Sequence, residues 1–270
     1  MNRADAHYPR RIVCLTEETT ETLYLLGEAQ RIVGISGFTV RPPQARKEKP
    51  KVAAFTSAKV DKILALEPDL VLGFSDLQAD IAAQLIRAGV AVHVFNQRTI
   101  AGILDMVLLL GAMVGVPDKA QALCTRWRDD LNAMVRNSTR FGRRPKIYFE
   151  EWDSPLISGI GWVSELIQIA GGDDCFGELS VHSAATQRII ADTDEVVRRS
   201  PDIVVGSWCG KKFQPDRLRQ RPGWHAIPAV RDAHLYEIKS SDILQPGPAA
   251  LTDGARHLHA IVQRWAEGHQ

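Results

Sequence analysis

The stretch Asp61-Lys-Ile-Leu-Ala-Leu-Glu-Pro-Asp-Leu-Val-Leu-Gly73 is repeated 133 residues later as Asp194-Glu-Val-Val-Arg-Arg-Ser-Pro-Asp-Ile-Val-Val-Gly206. Five of the thirteen positions are identical, and four of the other eight exchange one aliphatic residue for another. Each copy predicts a short helix, a Pro-Asp turn and a buried strand that ends in glycine. Many α/β proteins contain a helix–turn–strand segment of this kind, so the surrounding sequence decides whether the repeat reflects a duplication.

The sequence upstream of each copy supports a duplicated domain. Arg11-Ile-Val-Cys-Leu15 and Lys146-Ile-Tyr-Phe149 each predict a strand after a basic residue, at nearly the same distance before the repeat. The helices predicted next, at 23–27 and 166–171, both end in glycine. The sequence therefore predicts two similar lobes.

Predicted strands and helices alternate in the first lobe, which is typical of a mostly parallel sheet. The strands are predicted at 11–15, 31–35, 69–73, 91–95, 202–206 and 235–238, and the helices at 19–27, 59–66, 77–88, 100–116 and 118–138. The predicted fold class is α/β, with two similar Rossmann-like lobes joined by a single long α-helix. The predicted domains are an N-terminal α/β lobe at 1–98, a helical connector at 99–142 and a C-terminal α/β lobe at 143–270.

Composition excludes several classes of protein. The 33 basic and 32 acidic residues give a net charge of +1, so no overall field favours nucleic acid or an anionic membrane. The longest apolar stretch, 106–116, is too short to span a bilayer and predicts a core helix. Cys14, Cys124, Cys175 and Cys209 lack CxxC spacing, so we expect reduced thiols rather than a disulfide framework or a zinc site.

The N-terminal residues bear on localisation. Residues 1–10 are polar, and no apolar segment of the secretory type precedes the first predicted strand. We therefore expect a cytoplasmic protein. The alternative is a periplasmic protein from which a leader has been removed.

Ligands of open α/β sheets bind beyond the carboxyl ends of the strands, so two such lobes predict one cleft lined by loops. Aromatic residues recur at the predicted strand ends, where they are expected to line this cleft; the alternative for each ring is packing against its own lobe. These aromatic residues are Phe38, Phe55, Phe74, Trp152, Trp162 and Trp208. Basic residues in or beside the same loops favour a ligand with carboxylate, phosphate or catecholate oxygens. They are Arg41, Arg98, Lys211, Lys212 and Lys239.

Two acidic pairs leave an enzymatic alternative open. Glu17 and Glu18 follow the first predicted strand of one lobe, and Glu150 and Glu151 follow that of the other. Such carboxylates accept hydrogen bonds from a ligand, or they act as acid and base in a hydrolase of siderophore or corrinoid side chains. The sequence contains no GxSxG, P-loop or HExxH motif. The eight histidines lack the converging pattern of a metal-ion site.

Several segments in combination resemble the helical-backbone (class III, cobalamin and ferric-siderophore type) solute-binding proteins of ABC transporters, most of all the vitamin B12-binding members. The segments are 11–15, 20–27, 31–36, 41–43, 51–55 and 61–73. The resemblance implies two α/β lobes joined by one long helix and non-catalytic binding of a bulky chelate, cobalamin or a ferric siderophore. The chelate is a ligand rather than an intrinsic cofactor. Phe55 and Phe38 match aromatic residues that pack on the corrin.

The resemblance also implies one acidic residue on each lobe that docks onto an ABC permease, and Asp61 and Asp194 match these positions. Both open predicted short helices, so the alternative is a helix cap or a dipole partner, which needs no transporter. Aspartate stands where the family usually has glutamate. We expect a monomer that binds no nucleic acid and does not insert into a membrane.

The predicted ligand-binding residues are Glu17, Glu18, Phe38, Arg41, Phe55, Thr56, Phe74, Arg98, Glu151, Trp152, Trp162, Trp208, Lys211 and Gln245.

Overall fold

The computed structural model describes residues 8–269, so most of the polar stretch 1–10 lies outside the described residues. The chain divides into two units. The first comprises the described residues up to Gln97 together with Ala101–Arg126, and the second comprises Arg98–Ile100 and the residues from Trp127 onward. The three-part division at 98 and 142 stays a prediction.

The first unit is built on a five-stranded parallel sheet in the order β3-β2-β1-β4-β5. Its central strands are continuous apolar runs because helices cover both faces of a parallel sheet. Val13, Leu15, Ile63, Val71 and Leu85 belong to its core. The elements are β1 (Ile12–Cys14), α1 (Glu17–Leu25), β2 (Ile32–Ser36), α2 (Pro43–Glu48), β3 (Lys51–Ala53), α3 (Val60–Leu64), β4 (Leu70–Phe74), α4 (Ala79–Arg87) and β5 (Val92–Phe95).

Two helices follow β5, as the sequence predicts. They are α5 (Ile100–Met113) and α6 (Pro117–Ser138). The boundary between the units falls within α6, between Arg126 and Trp127. The apolar face of α5 is buried, which confirms the predicted core helix. Across residues 8–269, no helix has the length and apolar character needed to cross a bilayer.

The second unit contains a mixed sheet in the order β10-β9-β6-β7, with β8 also paired to β6. All pairs are parallel except β6 with β7. Tyr148, Val204, Phe213 and Trp224 belong to its core. The elements are β6 (Lys146–Asp153), β7 (Leu156–Ser158), α7 (Gly161–Ala170), β8 (Asp173–Asp174), α8 (Asp194–Arg199), β9 (Ile203–Gly206), α9 (Pro215–Arg219), α10 (Pro228–Arg231), β10 (Leu235–Glu237), α11 (Ser240–Ile243) and α12 (Ala255–Glu267).

The internal repeat has the same structure in both units. The first copy forms α3 and β4, and the second forms α8 and β9. Each copy's strand pairs in parallel with the first strand of its own unit, with Leu70 opposite Ile12 and Ile203 opposite Ile147. Leu70 and Ile203 occupy equivalent positions of the repeat. The predicted α/β class with duplicated, mostly parallel sheets is confirmed.

Some local predictions are wrong. The sequence predicted neither α2 nor β3, and it placed Glu150–Asp153 in a loop. These residues belong to β6, which continues beyond its parallel neighbour because Asp153 pairs with Leu156 of the antiparallel β7. Trp162 lies in α7 rather than in a loop. All four cysteines are free thiols, as predicted.

Candidate functional site

The carboxyl ends of the first unit's strands carry exposed apolar side chains. The five strands are parallel, so the loops that follow them lie at one edge of the sheet. Phe38 is 67% exposed after β2, Val40 is 42% exposed in the same loop, and Leu77 is 56% exposed after β4. Phe55, after β3, is partly exposed. These four residues are called the apolar rim below.

Sequence reasoning found half of the apolar rim. Phe38 and Phe55 were predicted because aromatic residues in loops stand out, and the neighbouring Thr56 is exposed as expected. Val40 and Leu77 were missed, since a single aliphatic residue in a loop gives no pattern. The ligand-binding roles of Phe38, Phe55 and Thr56 stay predictions.

The loop of Phe38 and Val40 is held by polar contacts from two helices. The backbone N–H groups of Val40 and Arg41 both donate to one carboxylate oxygen of Glu17 on α1. From α2, the Arg46 guanidinium donates to the carbonyl oxygens of Gly37 at 2.7 Å and Thr39 at 3.2 Å. Because backbone groups on both sides of Phe38 are fixed, the loop presents its apolar side chains from a defined position.

Glu17 and Glu18 are buried, which corrects the prediction that they face a ligand. Only 4% of Glu17 and 1% of Glu18 is exposed. Burial raises the pKa of each carboxyl from 4.5 to about 7, against the opposing effect of the hydrogen bonds that each accepts. The Thr16 hydroxyl donates to Glu18 at 2.6 Å. Both carboxyls therefore hold protein groups in place rather than offering themselves to solvent.

Arg41, a predicted ligand cation, pairs with an acidic residue of the same unit. Its Nε donates to the Glu21 carboxylate at 3.0 Å, and Glu21 is 7% exposed. Sequence reasoning missed Glu21 because nothing local connects it with a loop twenty residues away. The ion pair adds a second link between α1 and the loop of Phe38.

Three of the predicted cleft aromatics lie in the protein interior. Phe74 is 5% exposed, and Trp162 and Trp208 are each 3% exposed. The indole N–H of Trp162 donates to the Ile243 carbonyl at 2.8 Å, and that of Trp208 donates to Glu150 at 3.0 Å. Buried indoles require such partners. These three rings pack inside the protein, which was the alternative to lining the cleft. The prediction that they line a ligand surface is therefore wrong.

Glu150 and Glu151 of β6 each pair with an arginine of the second unit. Glu150 is 0% exposed and accepts two N–H bonds from Arg221, at 2.6 and 3.0 Å. Glu151 accepts two from Arg188, at 2.6 and 3.1 Å. A charge removed from water is tolerated when it is paired and hydrogen-bonded in this way. Glu151 therefore has a structural partner instead of facing a ligand, and the hydrolase alternative loses its second carboxylate pair.

Trp152 is the one partly exposed tryptophan of the six, all of which lie within the described residues. Its indole N–H donates to the Ser154 carbonyl at 2.9 Å. The Lys211 ammonium lies 4.0 Å from the centre of the Trp152 ring and pairs with Asp153. Lys211, predicted as a ligand cation, therefore serves to position Trp152.

The remaining predicted residues of the second unit are less constrained. Arg98 and Gln245 are partly buried, whereas Lys212 and Lys239 are exposed. Neither lysine forms an ion pair with any residue between 8 and 269. These two lysines follow β9 and β10, at the carboxyl end of the second sheet.

The predicted docking residues Asp61 and Asp194 are exposed in the first turns of α3 and α8. Neither is a helix cap: the N-cap positions are Lys59 and Thr193. The backbone N–H of Asp194 instead donates to the Asp192 carboxylate at 3.0 Å. The capping part of the alternative is therefore wrong, while both residues keep the first-turn position that suits the helix dipole.

In the part of the chain that the structure describes, no three His, Cys, Asp or Glu side chains converge as metal ligands.

Comparison with known proteins matches the chain to binding proteins by sequence and by structure. A family model described as periplasmic binding protein matches residues 12–241. A vitamin B12-binding protein of Vibrio parahaemolyticus is 24% identical over 94% of this chain and 87% of its own length. A periplasmic solute-binding protein of Staphylococcus epidermidis, described as possibly iron-binding, superposes with a TM-score of 0.81 at 18% identity, covering 95% of this chain and 99% of its own. The periplasmic vitamin B12 binding protein of Vibrio cholerae superposes with a TM-score of 0.76 at 19% identity, covering 95% and 98%.

The comparisons also decide two predictions. The description of the matching family and both structural titles name periplasmic proteins, so the prediction of a cytoplasmic protein is wrong. The matching family consists of binding proteins, which confirms the prediction of a non-catalytic binding protein.

Proposed function

The chain belongs to the periplasmic binding protein family, and we propose that it binds a bulky metal chelate, cobalamin above all, without transforming it. The observation that carries the proposal is the apolar rim, where Phe38, Val40 and Leu77 are exposed beside Phe55 at the carboxyl end of a parallel sheet. The vitamin B12-binding relative, which aligns with 94% of this chain, supports cobalamin as the ligand.

The apolar rim suits a ligand with a broad, flat, weakly polar face. A phenylalanine side chain offers roughly 200 Å², so the 67% exposure of Phe38 corresponds to about 130 Å². At about 25 cal/mol per Å², covering half of that area contributes about 1.5 kcal/mol, or roughly tenfold in affinity. Because Glu17 and Arg46 fix the loop, little conformational entropy is lost when the ligand covers it.

Predicted ligand residues also lie in the second unit. Trp152 offers a ring that Lys211 already holds in place, and Gln245 offers an amide for the amide-rich edge of a corrinoid. Arg98 stays a predicted contact. Lys212 and Lys239, which form no ion pair within the described range 8–269, favour a second candidate, a ferric siderophore, because catecholate or carboxylate oxygens need cations.

We also propose that the chain delivers its ligand to an ABC permease. Asp61 and Asp194 stand at equivalent positions of the internal repeat, exposed in both units. Two equivalent acidic side chains suit recognition of arginines on a permease. A monomeric state stays part of the prediction.

The test is calorimetric titration with cyanocobalamin. We expect saturable binding of one cyanocobalamin per chain, weakened about tenfold in Phe38→Ser and further when Val40→Ser is added. Ile86→Ser is the matched control, since Ile86 is 59% exposed on α4. Absence of saturable binding would contradict the cobalamin proposal.

A parallel titration with a ferric catecholate separates the two candidates. If the siderophore proposal is right, Lys212→Gln combined with Lys239→Gln weakens ferric catecholate binding. The same double variant leaves cyanocobalamin affinity unchanged if the corrinoid proposal is right. Binding of the ferric catecholate alone, with no response to cyanocobalamin, selects the second candidate.

A further inference from the structure

A cavity of about 420 Å³ lies at the edge of the first sheet, at the foot of the turn that carries Phe55. Phe55 and Thr56, at the tip of that turn, do not line it. The cavity is therefore distinct from the apolar rim. Its lining residues are Lys51, Val52, Ala53, Ala54, Ser57, Ala58, Lys59 and Lys62.

The backbone around the cavity is fixed by hydrogen bonds. β3 is the edge strand, and the chain returns antiparallel to it through a bridge between Ala53 and Ala58. The Ala54 N–H donates to the Ser57 carbonyl at 2.7 Å, and the Lys59 N–H donates to the Val52 carbonyl at 3.2 Å. The return leads directly into α3, so three neighbouring segments contribute one lysine each to the cavity.

The charges at the cavity are all positive. Lys51, Lys59 and Lys62 form no ion pair or hydrogen bond through their ammonium groups with residues 8–269, and no carboxylate lines the cavity. Other cations of the first unit do have acidic partners: Arg31 pairs with Glu28 at 2.6 Å, and Arg41 pairs with Glu21 at 3.0 Å. In a chain with a net charge of +1, three like charges at one cavity create a local positive potential.

We propose that this cavity binds a small organic polyanion that carries two or three carboxylate or phosphate groups on a compact body. Its volume of about 420 Å³ falls within the range of small-molecule sites, roughly 300–1,000 Å³. Val52 and the three alanines are the apolar part of the lining, and the lysine ammonium groups can donate hydrogen bonds to either kind of anionic oxygen. The proposal rests on the three lysines, none of which belongs to the apolar rim, so it does not require the proposed chelate binding.

The experiment is a titration of the full chain with citrate and, separately, with pyrophosphate, at constant ionic strength, by calorimetry and amide NMR. We expect saturable binding of at least one of them, with chemical-shift changes centred on residues 51–62. The ligand that binds more tightly identifies carboxylate or phosphate as the preferred group. Because the contacts are ionic, affinity should fall with added sodium chloride.

The decisive variant is Lys51→Gln, Lys59→Gln and Lys62→Gln combined, which should weaken binding about tenfold or more. Its matched control removes three exposed cations elsewhere, Lys47→Gln, Arg87→Gln and Arg140→Gln, and should keep full affinity. The triple Lys→Arg variant at the cavity keeps the charge and should also bind, which separates lost binding from lost folding.

Three outcomes would overturn the proposal. They are no saturable binding of either anion, an equal loss in the control variant, and shift changes centred outside 51–62. Sedimentation with phosphatidylglycerol vesicles, without binding of either free anion, would assign the lysines to a lipid surface instead. Phe38→Ser should leave anion binding intact, so failure of this proposal is distinguishable from failure of the chelate proposal.

Discussion

Replacing Glu17 with glutamine should make the stability of the first unit less dependent on pH. Burial raises the pKa of Glu17 from 4.5 to about 7 in the folded protein. A carboxyl with a raised folded-state pKa contributes stability that is complete below pH 4.5 and is lost as the pH rises through about 7. Glutamine keeps a carbonyl oxygen for the N–H groups of Val40 and Arg41 but cannot ionise.

The size of the effect follows from that shift. One pKa unit corresponds to about 1.4 kcal/mol, so between pH 5 and pH 8 the native protein should lose about 2 to 3 kcal/mol that Glu17→Gln keeps. Glu18, whose pKa burial also raises to about 7, contributes a similar loss to both proteins. The difference between native protein and variant therefore isolates Glu17.

The assay must report on the first unit. All six tryptophans lie from Trp127 onward, in the second unit, so tryptophan fluorescence does not follow the first. Amide hydrogen exchange at Val13 and Leu72, in the central strands β1 and β4, measures its opening free energy at each pH. Glu48→Gln, on the exposed surface of α2, is the control. An equal pH-dependent loss in the native protein and in Glu17→Gln would refute the reasoning.

Three further predictions concern the second unit. Arg221→Met leaves Glu150 buried without a cation, so it should lower the free energy of unfolding by about 3–5 kcal/mol. Urea unfolding monitored by tryptophan fluorescence measures this loss, and a loss below about 1 kcal/mol would contradict the prediction. Gly206→Ala should cost about 1–3 kcal/mol in the same assay, since its Cβ would lie 1.9 Å from the Phe213 ring; unchanged stability would show that the ring moves freely. Trp152→Phe should remove most of the fluorescence quenching caused by cyanocobalamin, because the other five indoles are buried; full quenching in the variant would place the ligand elsewhere.

The duplicated architecture was predictable because its signal is local and occurs twice. The repeat at 61–73 and 194–206 specifies a helix, a turn and a buried strand through apolar runs that need no distant partner. The same holds for α5 and α6, whose periodic apolar residues predict helices directly. Boundaries differ by a few residues, as helix and strand ends depend on neighbouring elements.

The site was less predictable because burial depends on residues far apart in the chain. Phe38 and Phe74 both stand at a strand end in the sequence, yet one is 67% exposed and the other 5%. In the sequence Glu150 has the features of an exposed loop residue, but in the structure it pairs with Arg221, 71 residues later. No short window of sequence carries that information, whereas the prediction of Phe55 needed only its aromatic ring in a predicted loop, and the family resemblance supported it.

The most direct test of the central claim is hydrogen exchange of the native protein with and without cyanocobalamin. If the apolar rim covers the flat face of the chelate, amides at 37–41, 54–57 and 75–78 should become protected in the first unit. Protection should be lost in Phe38→Ser and retained in the Ile86→Ser control. Cyanocobalamin that binds without changing exchange in these three loops would contradict the account.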